Sequence, residues 1–183
     1  MAFNILTAVS SSKYLTKPDP QYSENGPQGL IDRLYGVTNY RIGGWQGWTG
    51  DMEVVVDLLQ SKSLTSVGVD CLDNMRSWIF FPTKIDVSVS NNGINYTHWA
   101  SVENTEFPAI RDRQEESVQH TFTCRGGYTT CRYVRIKATN YGKMPDWHIS
   151  AGEQAWLFVD EIEIGSYMPT FINAFGSTTN TEE

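Results

Sequence analysis

Near its C-terminal end the chain reads PDWHISAGEQAWLFVDEIEI (residues 145–164), which puts an acid, an indole and an imidazole side by side at Asp146, Trp147 and His148. An acid and an imidazole can exchange protons, both can ligate a metal, and an indole flanked by polar groups can hold a sugar. Catalysis would need further partners. The chain contains no HExxH, no paired CxxC, no GxSxG elbow and no phosphate-binding glycine loop. Glycoside hydrolysis requires two carboxyls roughly 5 to 9 Å apart across a cleft. The nearest pair, Asp160 and Glu161, are neighbours in a strand-like run and are expected on opposite faces. Asp146 and Glu153 share a loop, but nothing marks either as a proton donor. His98 and His120 fall in strand-like runs, where a structural role is expected, so no zinc cluster is foreseen. The trio reads as a platform that binds or packs and does not react.

The elements that must position this platform are short and β-rich. MEVVVDL (52–58), LTSVGVDCL (64–72), KIDVSVS (84–90), YTHWASV (96–102), VQHTFT (118–123), RYVRIKA (132–138) and AWLFVDEIEI (155–164) are rich in β-branched or aromatic residues. Several alternate with period two. Ile85, Val87 and Val89 face one way and Asp86 and Ser88 the other; Val134 and Ile136 point inward and Arg135 and Lys137 outward. SNNGINYT predicts a hairpin whose Asn-Gly supplies the positive φ angles of a tight turn. No long amphipathic helix is apparent. The pattern predicts an all-β, antiparallel sandwich. Segments 18–51, 72–83 and 139–154 lie outside the strands and carry four of the six tryptophans, and long loops of this kind usually carry function.

Composition narrows the partners. The 183 residues suit one domain with a sizeable core. A formal charge of −7 argues against a nucleic-acid or anionic-membrane partner, since both attract a positive field. No apolar run reaches the roughly 18 residues of a membrane span. The start, MAFNILTAVSSSKYLTKPDP, lacks the basic and apolar parts of a secretory signal. The chain is therefore expected to be either an excised domain or a complete protein not exported by that route. Cys124 and Cys131 flank RGGYTT and either close a loop disulfide or stay as partly buried thiols, while Cys71 belongs to the core.

Three longer stretches carry a resemblance: GPQGLIDRLYGVTNYRIGGWQGWTGDMEVVVDL, RSWIFFPTKIDVSVSNNGINYT and CRYVRIKATNYGKMPDWHISAGEQAWLFVDEIEI. Together, over residues 14–164, they resemble the discoidin or coagulation factor five/eight type C fold. That fold includes the family 32 carbohydrate-binding modules, here most similar to the C-terminal module of chitobiase-like family 20 β-hexosaminidases. The resemblance implies a non-catalytic, eight-stranded, galactose-binding-domain-like jelly roll over residues 1–164, with ligand loops at one end and a tail at 165–183. It also implies a structural Ca²⁺ at Asp32, Thr38 and Glu161, hard oxygen donors suited to that ion. Arg33 stands where the family pattern has Gly, and the segment to Thr38 is one residue longer than usual.

A pyranose is held by a ring on its apolar face and by polar side chains at its rim. The loops offer Trp45, Arg76, Trp78, Asp146, Trp147 and His148 for that purpose, with Arg41 a weaker candidate. Packing is the competing role for each ring, and Trp48 and Trp156 are expected to be anchors. Two functions follow. One is a glycan-binding module for galactose- or N-acetylhexosamine-type ligands, attached to a glycoside hydrolase or a surface protein and working outside the cell, in the periplasm or at the cell surface. The other is a structural or virion component, such as a phage decoration, fibre or adhesion protein, assembling as a homo-oligomer through the tail MPTFINAF.

Overall fold

The computed structural model describes residues 3–5 and 10–167. The tail segment MPTFINAF, and with it the docking arm, lies outside the described residues. Among the described residues, eight antiparallel strands form the sandwich: β1 (Phe3–Ile5), β2 (Ser11–Tyr14), β3 (Gln46–Trp48), β4 (Met52–Asp73), β5 (Lys84–Ser90), β6 (Thr97–Glu103), β7 (Val118–Thr139) and β8 (Leu157–Tyr167). The sheet order is β1-β8-β4-β7-β5-β6, with β2 paired to β4 and β3 to β8. β8 runs on through Gly165 to Tyr167, where it pairs with β1.

Four of the predicted strands are two long ones. β4 spans both MEVVVDL and LTSVGVDCL, and β7 spans both VQHTFT and RYVRIKA. Register breaks between Asp57 and Lys62 and between Leu64 and Ser66 bend the β4–β7 ribbon, so each strand serves both layers. The first half of β4 pairs with β2, and the second half with β8. Val54, Val56 and Leu58 from one half and Val67, Val69 and Cys71 from the other are buried in one cluster with Val134, Ile136, Ile162 and Ile164. The outer face follows the same alternation: Arg132 pairs with Asp57, Arg135 with Glu53 and Lys137 with Asp51 across the ribbon. Cys71, Cys124 and Cys131 are free, buried thiols.

The Asn-Gly turn departs from expectation. Only Gly93 takes a positive φ, at 70°. Asn92 Oδ1 accepts the N–H groups of Ile94 and Asn95, both at 2.9 Å, so a side chain closes a wider loop.

The register sorts the connections by end. Positions 58–62, 90–97 and 124–131 turn at one end. Residues 14, 52, 73, 84, 103, 118, 139 and 157 mark the other, from which every long segment leaves. Hydrogen bonds knit these segments together. Phe80 N–H donates to Trp156 O at 3.0 Å, Trp156 N–H to Trp78 O at 2.8 Å, and Asn140 Nδ2 to Ala155 O at 3.1 Å. Among the described residues, no helix is long and apolar enough to cross a membrane.

Candidate functional site

The 74–78 segment, NMRSW, is a single 3-10 turn at the exit of β4. Asn74 caps it, its Oδ1 accepting Ser77 N–H at 3.2 Å. Trp78 closes the turn in the left-handed region, at φ 70°, a conformation that costs a bulky residue on the order of 1–3 kcal/mol. Its ring is 40% exposed. Beside it, Arg76 is ion-paired to Glu115 at 2.6 Å, both side chains largely in solvent. Arg76, Asn74, Ser77 and Glu115 face Thr38, Asn39, Tyr40 and Arg41 across a polar cleft of about 490 Å³. An adjoining cleft of about 310 Å³ shares Tyr40 and Arg41 and reaches Gln21, Glu24 and Ile42. Burial pushes the Tyr40 phenol up, but the Arg41 guanidinium and Ser77 hydroxyl outweigh it and leave the phenol below its ordinary value. The cleft thus presents donors and acceptors, and the exposed Trp78 directly follows Ser77 of its lining.

Of the residues expected to hold ligand, Arg76 and Trp78 share this turn and Asp146 is exposed on a neighbouring loop. Trp147 is half-buried, packed against Met75, Phe80, Met144 and Ala155. Trp45 and His148 have other work. Trp45 is 2% exposed, its Nε1 donating to Val37 O at 2.9 Å. A Cβ on Gly36 would lie 2.5 Å from that indole, so the loop can cross the ring only as glycine. His148 is buried with both ring nitrogens engaged: Nε2 donates to Met75 O at 2.8 Å and Nδ1 accepts Ser150 N–H at 3.0 Å. Neither group is left free for a sugar hydroxyl. Tyr40 and Glu115 entered the cleft without any signal in the sequence, because loops from distant positions bring them in, and Asn74 and Ser77 enter with the Arg76 turn.

Under the 32–37 loop lies a second constellation. Glu161 Oε2 accepts Arg33 N–H at 2.9 Å, and Asp160 accepts Gly36 N–H. The two carboxyls were expected on opposite faces, yet both reach the same loop. The reason is a bulge: β4 and β8 slip register between Asp70 and Cys71, leaving Asp160 unpaired and breaking the alternation. Burial, with Asp70 adjacent, holds the Asp160 carboxyl well above the usual carboxylate range. Burial also pushes Glu161 up to about 8; Arg33 N–H opposes that shift and Asp32 reinforces it. Asp160 and Glu161 are fully buried, so no substrate reaches them for acid–base work.

The residues of the expected calcium site can be tested here. Glu161 Oε1 and Asp160 Oδ1 are buried without hydrogen-bond partners. Asp32 Oδ1 accepts Leu34 N–H at 2.8 Å, closing a turn in which Arg33 takes φ 66°, the conformation that favours glycine. The Thr38 carbonyl accepts the Ser117 hydroxyl at 2.8 Å. Asp32 and Glu161 fit a hard cation in charge and donor type. Among the described residues no three His, Cys, Asp or Glu side chains form a metal-holding group, so an ion here would also need backbone oxygens.

Known proteins agree with this architecture. CpGH89CBM32-5 from Clostridium perfringens, in complex with GalNAc-β-1,3-galactose, superposes with a TM-score of 0.52 at 12% identity, covering 88% of this chain and 99% of that one. The CBM32 of AlyQ, in complex with 4,5-unsaturated mannuronic acid, gives 0.52 at 16% identity over 90% and 97%. A fucolectin from striped bass (Morone saxatilis) serum gives 0.56 at 16% identity over 91% and 50%. At these identities the likeness is one of fold. No curated protein matches the sequence. Residues 7–159 match the F5/8 type C domain, and the chain belongs to that family.

Proposed function

We propose that the chain is a non-catalytic carbohydrate-binding module that holds a galactose- or N-acetylhexosamine-type glycan on the loops at one end of the sandwich. The observation that carries this reading is the 74–78 turn. It exposes Trp78, while its Asn74, Arg76 and Ser77 line a cleft of about 490 Å³ that offers hydroxyl, amide, guanidinium and carboxylate groups. That combination suits a ring with one apolar face and a hydroxyl rim. The GalNAc-β-1,3-galactose bound by the Clostridium perfringens module supports this ligand class, and the 4,5-unsaturated mannuronic acid bound by the AlyQ module supports glycan binding more broadly. A single open site of this kind corresponds to about −4 to −6 kcal/mol, or millimolar to tens of micromolar Kd, so the module acts through a tether or through multivalency. Attachment to a hydrolase similar to the chitobiase-like β-hexosaminidases, and work at the cell surface or outside the cell, complete the reading. A glycan-array screen of a multimerised sample tests it. Reproducible galactose- or hexosamine-dependent binding supports the module, and a blank from folded, multivalent protein overturns it.

We also propose that Asp32 and Glu161, with backbone oxygens near Thr38, hold a calcium ion. The ion would neutralise the buried carboxylates and staple the 32–38 loop to β8. Chelation should then lower the thermal midpoint by several degrees, and an unchanged melt removes the ion from the account.

A further inference from the structure

A separate cavity of about 180 Å³ opens at the same end of the sandwich, between the 80–83 segment, the 104–109 loop and Tyr141. Its walls are aromatic. Phe80 stacks on Tyr141 with centroids 4.8 Å apart, and Phe81 meets Phe107 edge to face at 5.2 Å. Polar groups are few. Asn104 is committed to its own loop, donating to Phe107 O at 3.1 Å and accepting Phe107 N–H at 3.0 Å. Asp73, with its side chain 3% exposed, is fixed by Arg113 at 3.0 Å. Thr83 and Tyr141 also line the cavity, and no hydrogen bond among the described residues engages the hydroxyl of either.

We propose that this cavity is a second subsite that takes the acetamido arm of an N-acetylated sugar, an inference that rests on the glycan-binding reading. The volume falls below the roughly 300–1,000 Å³ of sites for drug-sized ligands, so a group of few heavy atoms fits. A whole hexopyranose would turn hydroxyls against phenyl walls that cannot pair with them, which is costly. An acetamido group asks for less. Its N–H needs one acceptor, which Asp73 or Thr83 Oγ1 provides. Its carbonyl needs one donor, which the Tyr141 hydroxyl provides, and its methyl needs apolar walls. A cationic guest is disfavoured, because Arg113 already neutralises Asp73 and lies 5.3 Å from the Phe107 ring centroid.

The test is an NMR titration of the full chain with N-acetylgalactosamine and N-acetylglucosamine against galactose and glucose. The expected result is shifts at Thr83, Phe107 and Tyr141, with the acetylated sugars binding about tenfold tighter than their parents, a difference of 1.4 kcal/mol. Ala109→Leu, which fills the cavity, should abolish those shifts and leave any at Arg76 and Ser77. Tyr141→Phe, which removes only the hydroxyl, should weaken acetylated sugars several-fold and should not change the others. Should the Leu variant fail to fold, the Phe variant decides alone. Equal affinity for both sugar types, or shifts confined to Arg76, Ser77 and Trp78, overturns the subsite and leaves the glycan reading standing. No shift with any sugar, together with a blank glycan array, overturns both.

Discussion

Two loops with similar chemical parts, NMRSW at 74–78 and PDWHIS at 145–150, end up in opposite settings. Each offers a tryptophan beside charged or hydrogen-bonding side chains. In the first, Trp78 and Arg76 are exposed, and Arg76 lines the cleft. In the second, Trp147 packs against Met75 and Phe80, and His148 holds the Met75 carbonyl. The second loop is the prop of the first: its imidazole pins the opening residue of the turn that displays Arg76 and Trp78. Residue type alone does not separate a loop that displays its ring from one that supports it. What separates them is whether the fold supplies partners for the polar atoms.

That contrast can be broken at four points. Trp45→Ala should have the largest effect, about 3–5 kcal/mol of lost stability, as expected for a buried tryptophan; a denaturant melt within 1 kcal/mol of the parent would mean that the ring is not an anchor. His148→Ala leaves the Met75 carbonyl without its buried donor and should cost about 1–3 kcal/mol, weakening any glycan binding with it. Full stability with lost binding would instead make His148 a ligand contact. Asp73 gives a pH signature: burial pushes its carboxyl from 3.8 to about 6 despite Arg113. The folded chain therefore holds this proton more tightly than the unfolded one. Its contribution is complete below about pH 4 and is lost as pH rises through about 6, so the thermal midpoint should decline across that window and Asp73→Asn should flatten the decline. Trp78→Gly should have the smallest effect on stability and of the opposite sign, a gain of up to about 1 kcal/mol from relieving the positive φ, while abolishing glycan binding. Retained binding would move the site away from this turn.

Much of the fold was legible in local pattern. KIDVSVS became β5 with the same bounds, and the alternation in RYVRIKA placed Val134 and Ile136 in the core and Arg135 and Lys137 outside. β1, β2 and β3 were not legible: each is held by its partner strand and is too short to carry a period of its own. The proposed cleft was half legible. Arg76 and Trp78 stood out as charge and ring in a long loop, whereas Tyr40 and Glu115 join Arg76 only because three loops meet.

By itself the sequence determined the all-β class, the faces of β5 and of the second half of β7, and the loops that carry polar and aromatic side chains, because alternation and turn chemistry act between near neighbours. Only the tertiary structure decided that four strands are two bent ones and that the Asp160 bulge turns two carboxyls toward one loop. It also decided that His148 supports Met75 and that an aromatic-walled cavity forms over Asp73. Those outcomes depend on register and on contacts between residues far apart in the chain, and no local period encodes either.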